Sequence, residues 1–384
     1  MKKILFVIVL LIFVMIPNFT YCTEKDTDLI LQEQQEKFGI NDFIKEAEHY
    51  SKDIFDDINI KDMLDSALKG KVDNSNFIKK LFNLLIGEIT YSIKTLISIL
   101  VIVLIHTILK TLTDDLKENN ISKIIYYVQY ILIITLIISN FSDILETITT
   151  TINNMVGFIH TLIPVLVTLM IYTGSITTST MIEPIIIFVI QFIANTINSF
   201  ILPIISVMIV LIIVSKISDQ IQINKLTKFM KSSITWFLGI VLTLFVGILS
   251  LEGSLTSSVD GITANTTKAA VSNLIPVVGK ILGDSVDTVL GCGLVLKNAV
   301  GLIGTIIIIG ICIMPIIKLA TLSIMYSLTS SIVEPIADSK IVKLLEEISG
   351  VFKLLLGIIS SVSVLLIIGT TLIIKISNSG MMYR

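Results

Sequence analysis

The chain has 384 residues, of which 53% are hydrophobic and only 15% charged, and its mean hydropathy is +0.92. That composition excludes a water-soluble globular protein and points to a chain solvated mostly by lipid. The formal net charge is −2, and Arg384 is the single arginine among the basic residues, so nothing supports nucleic-acid binding.

Lys2 and Lys3 precede an apolar run from Ile4 to Ile16, which suits a signal-peptide core and is short for a span. Cleavage after Cys22 is expected, giving a signal peptide over 1–22 and an exported mature start.

Residues 23 to 80 carry fourteen Asp and Glu against nine Lys. Phe38, Ile40, Phe43, Ile44 and Ala47, then Ile54, Ile58, Met63 and Leu64, recur at helical spacing among those charges. An exported amphipathic helical segment over 23–85 follows, its helices packing on one another or lying on a membrane surface.

Apolar runs follow at 92–110, 124–142, 158–173, 185–215, 234–251, 300–333 and 354–374. The runs starting at 185 and 300 exceed one span and contain Pro203 and Pro315, so each is either a kinked helix or a tight hairpin. Pro164, Pro203 and Pro315 are the expected helix breaks. Lys110, Lys117 and Lys123, then Lys216, Lys225, Lys228 and Lys231, then Lys340, Lys343 and Lys353, mark three segments as cytoplasmic. Residues 143–157 carry Asp143 and Glu146 without lysine and read as an external loop.

The chain resembles itself at an offset of 112 residues. LIPV occurs at Leu162–Val165 and at Leu274–Val277, and ILPII at Ile201–Ile205 matches IMPII at Ile313–Ile317. The same offset pairs Lys228 with Lys340 and Lys231 with Lys343. The expected organisation is therefore all-α and polytopic: two transmembrane helices over 86–142, membrane repeat 1 over 143–254, membrane repeat 2 over 255–375 and a tail over 376–384. Duplications of this kind commonly frame a polar path near the bilayer midplane.

The two copies differ most over 278–298, which is too polar for an ordinary span. Pro276, Gly279, Lys280, Gly283, Asp284, Asp287, Gly291, Gly293, Lys297 and Asn298 are the candidate conduit-lining or packing residues. Asp284 and Asp287, three apart, share a helix face. The segment is either a broken or re-entrant element lining water or an interfacial helix.

No catalytic motif is present. His49, His106 and His160 are isolated, and Cys22, Cys292 and Cys312 match no metal or disulfide spacing. Enzymatic activity, a cofactor and a metal site are not expected.

The stretch NLIPVVGKILGDSVDTVLGCGLVLKNAVGLIG from Asn273 to Gly304, with LIPVLVTLMIYTGS at 162–175, resembles the stage III sporulation protein AE family of endospore-forming bacteria. The resemblance implies a polytopic component of the channel complex that links mother cell and engulfed forespore, in the mother-cell-derived membrane around the forespore. It also implies a role in forespore development and late forespore gene expression. The partners it implies are the other stage III A-operon products, including a secretion-type ATPase and ring-forming proteins, and stage II protein Q. Competing expectations are an autonomous secondary transporter for a small solute or ion, with Asp284, Asp287 and Lys297 at its site, and a purely structural scaffold.

Overall fold

The computed structural model describes residues 35, 37–55, 59–69, 75–115, 119–217, 223–274 and 278–382. Side chains are described except at 51–55, 75–81, 84, 110–115, 119–123, 257, 261–274, 278–288 and 376–382. The expected signal peptide, Pro276 and Val277 lie outside the described residues.

Among the described residues two short helices come first: α1 (Ile40–Phe55) and α2 (Ile60–Leu68). Asn59 caps α2, its side chain accepting from the Lys61 N–H at 2.9 Å. The long helices follow: α3 (Ser75–Asp115), α4 (Asn119–Tyr172), α5 (Ile176–Thr196), α6 (Leu202–Ile217), α7 (Asn224–Leu274), α8 (Val278–Val333) and α9 (Ser339–Met382). Among the described residues, six helical stretches are long and apolar enough to cross a membrane, so the chain is a multi-pass membrane protein of all-α class.

The helices run further than the apolar runs suggest. Residues 143–157 form the middle of α4 rather than a loop, and α3 begins well before the expected boundary at residue 86. Pro164 and Pro315 lie inside α4 and α8 and break neither. Pro203 follows a π-turn at Ile197–Ile201, where the Leu202 N–H bonds the Ile197 carbonyl, and the helix continues from α5 into α6. The physical reason is that a break at membrane depth would expose unpaired backbone groups to lipid, so a proline is absorbed by a local change of helical register. α9 likewise continues through most of the expected C-terminal tail.

α8 and α9 make the most extensive helix pair. No described residue of α8 from Val289 to Ser327 is exposed. α3, α4 and the two short helices pack on α8, while α6 and α7 pack on α9. The buried stripe of α1, with Ile40, Phe43, Ile44 and Ala47, therefore finds its partner in the membrane bundle. Phe43 and Tyr50 both lie against Phe158 of α4.

One end of the bundle collects the basic segments. There Thr107 donates to the Ile336 carbonyl at 3.2 Å, Tyr126 donates to the Lys216 carbonyl at 3.4 Å, and Lys216 pairs with Glu347 at 2.7 Å. The other end turns at Thr173–Ser175. Gly174 adopts φ +87, the Ser175 N–H bonds the Met170 carbonyl and the Gly174 N–H bonds the Ile171 carbonyl. This is a Schellman closure that favours glycine at its left-handed position. Asp260 of α7 then caps α5, accepting from the Thr177 and Thr178 N–H groups at 2.9 and 3.0 Å and from the Thr178 hydroxyl at 2.7 Å.

Candidate functional site: the glycine face of α8 and its buried lysine

Residues 278–298 form the first turns of α8 as one continuous helix, so they adopt neither a broken nor a re-entrant conformation. Gly279, Lys280, Gly283, Asp284 and Asp287 lie on this helix, with their side chains outside the described set. From Val289 onward the candidates are sorted by their surroundings.

Gly293, Lys297, Gly301 and Gly304 recur at spacings of four, four and three, which places them on one helix face. A Cβ at Gly293 would lie 2.8 Å from Tyr172 of α4, and one at Gly304 would lie 2.6 Å from Leu162. At Gly301 it would collide with Ile374 of α9. Small residues thus let three helices close on one line. Gly291 faces open space, and Asn298 is half-buried.

Lys297 sits in the middle of this face and is fully buried. Immediately beyond, Thr305 donates to the Gly301 carbonyl at 2.8 Å and meets the Thr370 hydroxyl of α9 at 3.3 Å. The face is thus a tight, partly polar seam between α8, α4 and α9. Gly293, Gly301 and Gly304 are packing residues of this seam.

Three further polar constellations escaped the sequence reading. The first is the Lys216–Glu347 pair, beside which Lys231 approaches Gly350. The second is the Asp260 cap. The third is the pair of contacts between α4 and α8, where Asn140 donates to Tyr326 at 2.9 Å and Lys318 reaches Thr147 at 3.5 Å. Each polar residue stands alone in an apolar run, and that isolation within a span was the signal available.

Among the described residues, no three His, Cys, Asp or Glu side chains gather as a metal site. Cys292 and Cys312 are buried and form no disulfide, and His160 contacts Gln191 at 3.5 Å. A small cavity lined by Ile152, Met155, Ile193 and Leu366 is apolar.

The sequence matches the family model described as Stage III sporulation protein AE over residues 58–377. The Stage III sporulation protein AE of Bacillus subtilis (strain 168) is 30% identical over 212 residues, covering 55% of this chain and 53% of that protein. The chain thus spans about half the length of the curated relative it matches. No solved structure matches. A family match that embraces both the short helix α2 and the whole six-helix bundle means that the chain belongs to the stage III sporulation protein AE family.

Proposed function

We propose that this protein is a non-catalytic membrane component of the channel or secretion-like complex connecting mother cell and forespore, needed for forespore development and late forespore gene expression. One observation carries the reading: the bundle is far longer than a bilayer is thick. The apolar segment Ile124–Tyr172 has 49 residues and Val289–Val333 has 45, or roughly 74 and 68 Å of helix against a hydrocarbon layer of about 30 Å.

The exposed face of α4 supports a bilayer boundary near Ser142. Ile124, Tyr127, Val128, Ile131, Leu132 and Ile138 are exposed apolar residues, whereas Ser142, Asp143, Glu146, Thr150, Asn153 and His160 are exposed polar positions further along the helix. With the basic end in the cytoplasm, the far half of the bundle and the docked α1 and α2 rise into the space between the two membranes. That makes a platform on which ring-forming partners and stage II protein Q would assemble, with a secretion-type ATPase acting from the cytoplasmic side.

Photocrosslinkers or cysteines at exposed Lys45 and Glu46 test this in sporulating cells. Adducts with the ring-forming stage III A proteins are the expected result. Recovery of cytoplasmic proteins alone would defeat the orientation and the platform together.

A further inference from the structure

The outer face of α5 carries a stripe of mixed chemistry. Phe188, Gln191, Phe192 and Asn195 are related by steps of three and four residues, which places them on one helix face, and all four are exposed. The Phe188 and Phe192 rings stack with centroids 6.3 Å apart and planes 17° apart, and the two residues are 69% and 48% exposed. Beside them Gln191 Nε2 donates to Asn195 Oδ1 at 3.1 Å, and Gln191 Oε1 meets His160 of α4 at 3.5 Å. Further along, Asn198 Nδ2 donates to Asn153 Oδ1 of α4 at 3.1 Å, and Ser199 is exposed next to it. These bonds leave the Asn195 amide nitrogen and one Gln191 N–H to donate elsewhere.

Such a stripe suits neither solvent. In hydrocarbon the unmatched amide N–H groups are costly, and in water the two phenylalanine faces are. A lipid-facing surface of this chain has a different composition: on α3 the exposed residues from Val101 to Leu109 are Val101, Leu104, Ile105, Ile108 and Leu109, all apolar. A second protein surface of aromatic rings and amides satisfies both parts of the α5 stripe at once, because carboxamides exposed on membrane helices bond across to neighbouring helices.

The chemistry also selects the occupant. Glu183, half-buried, is the one charged residue between Ile176 and Ser215, so the stripe offers no charge for an acidic or basic partner to read. A carboxamide donates and accepts, so a surface of amides and phenyl rings complements itself. Copies inserted in one membrane share orientation and depth, and a two-fold axis along the membrane normal brings each level of the stripe against the same level of its counterpart.

We propose that the α5 stripe is where two copies of this chain meet, with Phe188 and Phe192 packing on their counterparts and Gln191 and Asn195 hydrogen-bonding across the axis. The contact involves this chain alone and is independent of the partners proposed above.

The test uses the purified full-length protein in liposomes, in a background without native cysteines. Ser199→Cys should be bridged into a dimer by a short bismaleimide several-fold more than Leu104→Cys, the collision control on α3. Its bridged fraction should persist when the lipid-to-protein ratio is raised tenfold. Adding Asn195→Asp, nearly isosteric and at an exposed position, removes a donor and sets two carboxylates against each other across the axis. It should lower the bridged fraction several-fold with an unchanged unfolding temperature, whereas Asn195→Gln should retain bridging. Bridging of Ser199→Cys no greater than that of Leu104→Cys, or falling in proportion to dilution, would mean that copies only collide and would overturn the proposal. Bridging that Asn195→Asp leaves intact would remove the amides from the contact and overturn it as well.

Discussion

At Gly304 and Gly301 the absence of a side chain is the structural requirement. Leu162 and Ile374 occupy the volume that a Cβ would need, so a larger residue must displace them. Gly304→Leu should therefore cost about 1–3 kcal/mol through overpacking, seen as a lower unfolding temperature of the purified protein in detergent. Gly291→Ala, facing open space, should hold or raise that temperature, because alanine is the better helix former. Lys216 offers a second test at this scale. Its side chain is 7% exposed and its Glu347 partner 28% exposed, so Glu347→Ala leaves a nearly buried ammonium uncompensated. That loss should be about 3–5 kcal/mol, whereas Lys216→Met with Glu347→Leu should recover most of it, because an apolar pair removes both charges together. Thermal unfolding of the two variants in parallel decides the matter. The apolar stripe of α1 was legible residue by residue, since Phe43, Ile44 and Ala47 recur at helical spacing. The ion pair was not legible, because its members lie on α6 and α9 and no local rule links them.

Individual helices here are specified by more than their apolar cores. The long middle of α4 carries Asp143, Glu146, Asn153 and Asn154, and sequence reasoning stops a span at such a cluster. The helix persists because its inner face stays apolar throughout, with Ile144, Ile148, Ile152, Met155 and Ile159 all buried. The polarity is confined to the outer face and is a matter of amphipathicity, not of helix ending. α1 is an equally direct case of an element defined by its partner. Its stripe packs on α4 and α8, so Phe43→Ala should cost about 3–5 kcal/mol of docking. Limited proteolysis should then cleave the N-terminal segment from an otherwise resistant bundle. The α4–α5 turn is closed by its own backbone and by Asp260 from another helix. Asp260→Ala should strand two N–H groups and a hydroxyl, at about 1–3 kcal/mol. Proteolysis at Gly174 and Ser175 reports it.

At the scale of the whole molecule, the longest helices exceed the thickness of a hydrocarbon layer. On α4 the exposed side chains change from apolar to polar near Ser142. Single cysteines placed in a background without native cysteines should follow that boundary. Asn153→Cys and Thr168→Cys should react with a membrane-impermeant maleimide from the far side, while Val128→Cys and Leu132→Cys should stay unlabelled. Labelling of all four alike would refute the placement of the bilayer. The 112-residue offset pairs Ile201–Ile205, at the π-turn before Pro203, with Ile313–Ile317, around the proline inside α8. It pairs Leu162–Val165, inside α4, with a second copy whose Leu274 ends α7. Equivalent sequence thus occupies different positions along helices, because helix ends are set by neighbours and capping contacts far away in the chain.

What the amino-acid sequence determined by itself is what depends on local composition and period. It specified an all-α membrane chain, the clustering of lysines between particular helices, the amphipathic start and the family, because hydropathy and helical spacing are written within a few turns. Only the tertiary structure decided that six long helices replace seven shorter runs and that prolines pass through intact helices. It also decided that Lys297 is fully buried on the glycine face of α8, and that Lys216 of α6 pairs with Glu347 of α9. Those outcomes depend on which helix faces meet. In a chain whose helices are apolar on nearly every side, the pairing is decided by close packing and by the few polar groups that must find company out of reach of water.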